Sequence, residues 1–181
     1  MNSYFPAGDA SAAILSRHLE YLLRQQGNLC VPPVILCIGT DRMIGDCLGP
    51  LVGTNLERAG KMPFVYGTLC SPVHALNLQS TLEQIKKKHP RNTLIAVDAS
   101  LGSMPHIGSV SVRSGGLRPG AGVSKNLSTA GDISITGVTN IEDGCPWLAL
   151  QTARLSTVIS MADCITDCIH RAAGYRITSC L

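Results

Sequence analysis

The stretch "VILCIGTDRMIGDCLGP", Val34 to Pro50, decides how this chain is read. Five apolar residues run without interruption into Gly39, the pattern of a short strand covered by helices on both faces. A loop with glycines and aspartates follows, and Pro50 then falls in the first turn of a helix, where a missing N–H costs little. Leu51, Val52, Leu56 and Ala59 make the core face of that helix, and Gly60 ends it. The loop has two competing uses. It is either a turn that cradles phosphate or a segment that presents a carboxylate at the mouth of a sheet.

The chain outward from this stretch repeats the same alternation. Before it, Ile14, Leu15, Leu19, Leu22 and Leu23 recur at helical spacing, Asp9 is placed to cap the start, and Gly27 stops the run, giving a helix over about 9–27. After it, "FVYGTL" reads as a second strand, and Ser71 and Pro72 as the start of a helix carrying Ala75, Leu78, Leu82 and Ile85. "TLIAVDA", residues 93–99, is a third strand. Strand, helix, strand, helix, strand implies right-handed crossovers and a mainly parallel sheet with helices on both faces. "GSVSVRS" and "DISITGV" then alternate as strands with one wetter face and flank the glycine-rich "GGLRPGAGVSKNL". One long helix from about Pro146 to Ala173 is predicted, with Leu148, Leu155, Ala162 and Ile169 at seven-residue spacing beside Val158, Ile165 and Ala172. The expected organisation is a single α/β domain over residues 1–181 with its core at about 33–174, a size at which one hydrophobic core suffices.

Composition narrows the function. Charged residues make up 15% of the chain and the net charge is +3, so no extended basic face for nucleic acid is implied. The one basic run, Lys86 to Arg91, falls at a helix end, where cations complement the dipole. No segment approaches the roughly 18 apolar residues of a membrane span, and the first ten residues lack the pattern of a signal peptide, so a cytoplasmic protein is expected. The 8 cysteines are scattered without a C-x-x-C pair, which favours reduced thiols. Cys164 and Cys168 share a helix face but lack two further ligands for zinc, and Cys47 lacks a neighbouring histidine to activate it as a nucleophile.

The phosphate use of the opening loop fails on its own residues. Five positions separate Gly39 from Gly45, and Asp46 stands where a P-loop needs its lysine, so the loop would repel phosphate. The carboxylate use fits an open α/β sheet, in which ligands bind beyond the carboxyl ends of strands where the strand order reverses. If the first and third strands are neighbours with the second outside the first, Asp46 and Asp98 face one crevice. Asp98 follows an apolar run and ends its strand, so burial and a like charge would raise one pKa of the pair, as acid-base activation of water requires. The alternative is that Asp46 caps the next helix and Asp98 holds a turn.

Four separated motifs, "CIGTDRMIGDCLGPLVGTNL", "IAVDAS", "RPGAGVSK" and "GDISITGV", together closely resemble the YyaC-type sporulation proteins of endospore-forming bacteria. Those proteins are similar to germination protease, which degrades small acid-soluble spore proteins, and to the hydrogenase maturation endopeptidases. The resemblance implies a three-layer α/β/α sandwich of the phosphorylase/hydrolase-like type around a mixed sheet of five or more strands. It also implies an aspartate-dependent site, with the two aspartates of germination protease mapping onto Asp46 before "CLGP" and onto Asp98 in its "DA" element. The expected function is a sporulation-associated hydrolase, most simply a peptidase in the sporulating cell acting on small acid-soluble spore proteins or another peptide. A non-catalytic protein that keeps the crevice to bind a spore peptide stays open as the alternative, as does homo-oligomerisation. The maturation endopeptidases add a histidine downstream of the second carboxylate to bind nickel. Here no histidine lies between His106 and His170, so neither a metal nor another cofactor is expected.

Further candidates surround the pair. His74 could reach the crevice rim or be an ordinary packed histidine. Gly120 and Gly122 could open backbone N–H groups to a substrate carbonyl or carboxylate, or belong to a plain connection. Asp41 and Arg42 could form an ion pair or bind a substrate end.

Overall fold

A computed structural model describes residues 3–27, 31–119 and 129–178. In chain order the elements are β1 (Phe5–Pro6), α1 (Asp9–Gln25), β2 (Val34–Cys37), α2 (Leu48–Ala59), β3 (Val65–Tyr66), α3 (Leu78–Lys88) and β4 (Leu94–Gly102). They continue as β5 (Ser109–Ser114), β6 (Ile133–Ile141), α4 (Pro146–Gln151) and α5 (Leu155–Thr178). Single 3-10 turns occupy Gly45–Cys47 and Met104–His106.

The strands form one sheet of 6 strands in the order β1-β5-β6-β4-β2-β3. β3, β2, β4 and β6 run parallel, while β5 lies antiparallel to both β6 and β1. The expected neighbourhood of the first and third predicted strands is therefore realised as β2 beside β4, with Cys37 opposite Val97 and β3 outside β2.

Alternation along the strands builds two cores. Ile35 and Cys37 of β2, Ile95 and Val97 of β4, Val110 of β5, and Ile133 and Ile135 of β6 point to one face. There they meet Leu15, Leu19 and Leu23 of α1, Val52 and Leu56 of α2, and Val158, Met161 and Ile165 of α5, all buried. Each such side chain contributes about 1.5–3 kcal/mol of hydrophobic stabilisation. The opposite face has a smaller core, where Leu78 and Ile85 of α3 pack over Val34, Leu36, Ile38 and Ala96. Among the described residues α3 is the single helix on that side, and it sits over the β3, β2 and β4 half of the sheet.

Several expectations are corrected. Asp9 makes no side-chain cap on α1, whose N-cap is Gly8, and Ile14 is 47% exposed because the buried stripe runs through Ala12, Leu15 and Leu19. The helix expected from Ser71 begins at Leu78 instead. Val73 stays extended because it bridges Ile38, its carbonyl accepting the Gly39 N–H at 2.8 Å, and Asn77 then turns the chain by bonding the His74 N–H and the Pro72 carbonyl. The long C-terminal helix is broken between Gln151 and Leu155. Asn140 of β6 donates to the Ala149 carbonyl at 2.8 Å and to Thr152 Oγ1 at 3.3 Å, ending α4 against the sheet. The break rotates Leu148 and Leu155 out of the stripe, leaving them 47% and 49% exposed. β1 was not foreseen: two residues with Pro6 are enough for an edge strand, and Pro is tolerated there.

No helix of the described residues is long and apolar enough to cross a membrane.

Candidate active site

The pairing of β2 with β4 ends where Ile38 N–H bonds the Val97 carbonyl at 2.8 Å. One step further, Gly39 and Asp98 mark the carboxyl edge of the two strands. Gly39, at φ 138°, is needed for a close approach: a Cβ there would collide with the backbone oxygen of Asp46. On α2, Gly49 presses in the same way on the Ile38 backbone. These two contacts seat the loop and the start of α2 directly on the end of β2.

That seating fixes Asp46. Its side chain does not cap α2, whose N-cap is Cys47 without a side-chain bond. It turns back, so that the Thr40 N–H donates to Asp46 Oδ2 at 3.0 Å and to its backbone oxygen at 3.1 Å. Burial pushes the Asp46 carboxyl up to about 6, and the Thr40 bond opposes that rise. Asp98 is deeper, 7% exposed, on the same sheet face as Ala96 and Thr136. β4 runs on to Gly102, so Asp98 does not end its strand as expected; it is the first residue past the end of β2. Burial and then the charge of Asp46 hold the Asp98 carboxyl well above the ordinary range, against a bond from the Ala99 N–H to its Oδ1 at 2.8 Å. The two aspartates thus feel each other across 52 positions of sequence, 98 minus 46.

Burial thus favours the neutral form of both carboxyls, and the charge of Asp46 favours it further in Asp98. A carboxyl held neutral can donate a hydrogen bond and an ionised neighbour can accept a proton, the division of labour that acid-base hydrolysis uses.

The remaining candidates are placed as follows. His74 is half-buried one residue beyond the Ile38–Val73 bridge, at the same carboxyl edge, and its Nδ1 accepts the Leu76 N–H at 3.3 Å. Asp41 and Arg42 are exposed on the loop, and the ion pair offered as one role for them is not made. The Arg42 N–H bonds Thr40 Oγ1 instead. Gly120 and Gly122 lie outside the described residues. Cys47 donates its thiol to the Ile44 carbonyl at 2.9 Å, and burial, with the charges of Asp46 and Asp41, raises it, which makes it a poor nucleophile. Among the described residues no group of three or more His, Cys, Asp or Glu gathers to hold a metal ion.

Sequence reasoning missed Thr40, whose contribution is a backbone amide, and Thr136, which stands opposite Asp98 on β6. The alternation in "DISITGV" carried the signal for Thr136. Large apolar side chains also surround the edge. Ile44, Leu76, Met104 and Trp147 are 39%, 91%, 70% and 61% exposed, and each lies on a segment leaving the carboxyl end of β2, the Val73 bridge, β4 or β6.

The model of a family described as "Protein of unknown function (DUF1256)" matches residues 9–168. The chain belongs to the DUF1256 family. Among curated proteins, the uncharacterized protein YyaC of Bacillus subtilis (strain 168) is 44% identical over 137 residues, covering 75% of this chain and 67% of that one. Among solved structures, the [NiFe] hydrogenase maturation protease HycI from Thermococcus kodakarensis KOD1 superposes with a TM-score of 0.50 at 19% identity, over 76% of this chain and 92% of that one. The DUF1256 chain therefore shares the α/β fold of that protease, a mostly parallel sheet with helices on its faces.

Proposed function

We propose that this protein is an aspartate-dependent peptidase of the sporulating cell, with Asp46 as general base and Asp98 as general acid. The observation that carries the reading is the pair of raised carboxyls at the carboxyl edge of adjacent parallel strands, Asp46 at about 6 and Asp98 well above the ordinary carboxyl range. In the reaction, ionised Asp46 takes a proton from water as its oxygen attacks the peptide carbonyl carbon. Protonated Asp98 donates a hydrogen bond to the carbonyl oxygen, which gathers negative charge. The proton on Asp46 then passes to the leaving nitrogen, the C–N bond breaks, and an acid and an amine are released with the pair restored.

The apolar rim supports a polypeptide as substrate, since Ile44, Leu76, Met104 and Trp147 offer surface that a small polar metabolite would not use. The resemblance of the elements around Asp46 and Asp98 to germination protease makes small acid-soluble spore proteins the first substrates to try. Incubating the pure chain with these proteins and following fragments by mass spectrometry tests the reading. Fragments are expected from the wild type and not from Asp46→Asn or Asp98→Asn. Stable capture without any fragment would favour a peptide-binding role for the same crevice.

A further inference from the structure

Strand register extends the candidate site sideways. Asp98 stands opposite Thr136, and Thr136 stands opposite Ser111, so all three side chains share one face across β4, β6 and β5. The contact between Ser111 Oγ and Thr136 Oγ1 at 2.9 Å agrees with this. Two residues along β5, Arg113 folds back into the row, its Nη2 donating to Ser111 Oγ at 3.3 Å and to the Tyr4 hydroxyl at 3.2 Å. Its guanidinium lies over the Tyr4 ring, 5.7 Å from the centroid. Among the described residues no carboxylate pairs with it, and its Nε is buried without a hydrogen-bond partner. Leaving such a donor unsatisfied costs about 1–3 kcal/mol. The row lies on the face that carries α3, but beyond the half of the sheet that α3 covers.

We infer that Arg113 is a substrate anchor that takes a carboxylate of an acidic peptide lying across β6 and β5, with Thr136 and Ser111 beneath it. The inference rests on the peptidase reading for the position of the scissile bond. Neighbouring strands are about 4.8 Å apart, so β5 lies roughly 10 Å from β4, a span that about three extended residues cover. A glutamate or aspartate about three residues from the cleaved bond, or a terminal carboxylate there, would reach the guanidinium. The guanidinium suits this partner, because its N–H groups donate charge-assisted hydrogen bonds to a carboxylate.

The test reads binding, not cleavage. The probe is a fluorescein-labelled pool of nonapeptides, mixed at every position except one fixed glutamate, compared by anisotropy with the same pool carrying glutamine. The wild type should bind the glutamate pool about tenfold more tightly or better, as a charge-assisted bond predicts. Arg113→Gln should bind the two pools equally, and Arg113→Lys should keep only part of the preference. Equal binding of both pools by the wild type, binding of neither, or a preference that survives Arg113→Gln would overturn the anchor. Should Arg113→Gln fail to fold, Arg113→Lys decides, and a preference unchanged from wild type overturns the assignment. A preference that depends on Arg113 in a chain that cleaves nothing keeps the anchor and removes the peptidase. Cleavage indifferent to the glutamate does the reverse.

Discussion

The amide of Thr40 donates twice to Asp46, to its backbone oxygen at 3.1 Å and to Oδ2 at 3.0 Å. That bond favours the ionised carboxylate, yet burial outweighs it and lifts Asp46 from 3.8 to about 6. A carboxyl raised in the folded state stabilises the fold fully below its unfolded value, and the contribution is lost as pH rises through the folded value. Between pH 3.8 and about 6 the wild type should therefore lose stability as Asp46 ionises. Asp46→Asn should flatten that slope and gain roughly 1–2 kcal/mol at neutral pH, once solvent screening at this half-buried position is allowed for. Asparagine can still accept the Thr40 N–H. Melting curves across this range check it, and an unchanged slope in Asp46→Asn would remove burial as the cause.

Activity should follow a bell against pH. Asp46 must be ionised to act as base, so kcat/KM on any cleaved peptide should fall below about pH 6. The alkaline limb marks the loss of the Asp98 proton, which burial and the charge of Asp46 hold well above the ordinary carboxyl range. Asp46→Asn and Asp98→Asn should each lower kcat by roughly 10²-fold or more, while Asp98→Asn stays folded because asparagine matches a neutral carboxyl in shape. Full activity in either variant contradicts the assigned roles.

Gly39→Ala and Gly60→Ala separate close approach from backbone strain alone. Both glycines have positive φ, 138° and 64°, but a Cβ on Gly60 meets nothing within 4 Å while one on Gly39 collides with the Asp46 carbonyl. Gly60→Ala should cost about 1 kcal/mol and leave activity intact. Gly39→Ala should cost more, roughly 2–4 kcal/mol, and abolish cleavage by displacing the loop that holds Asp46. Chemical denaturation and a peptidase assay on the two variants give the comparison.

The six described cysteines are free thiols, and their reactivity should divide by position. Cys70 and Cys145 are exposed and should react with a thiol reagent in the native protein. Cys37 and Cys168 should react only after unfolding, because burial raises both thiols and shields them. Mass spectrometry of the labelled native protein checks the assignment, and early labelling of Cys37 would mean that the β2 core opens readily.

Local patterns determined the parallel heart of the fold. The unbroken apolar runs "VILCI" and "LIAV" read as strands covered on both faces, and the glycines between β2 and α2, with Pro50 in the first turn of α2, mark the turn that presents Asp46. The order β3-β2-β4, the condition under which Asp46 and Asp98 face one crevice, came from the tertiary structure. Other features depended on partners distant in sequence. The late start of α3 arises because Val73 first pairs with Ile38, and the break before α5 because Asn140 bonds the Ala149 carbonyl and Thr152 Oγ1, bonds that no run of neighbouring residues encodes. Strand register, a property of three strands together, aligned Asp98, Thr136 and Ser111 and brought Arg113 into their row. The raised carboxyls are tertiary as well. A sequence places an aspartate after a strand, but only packing removes it from water and sets a second charge beside it.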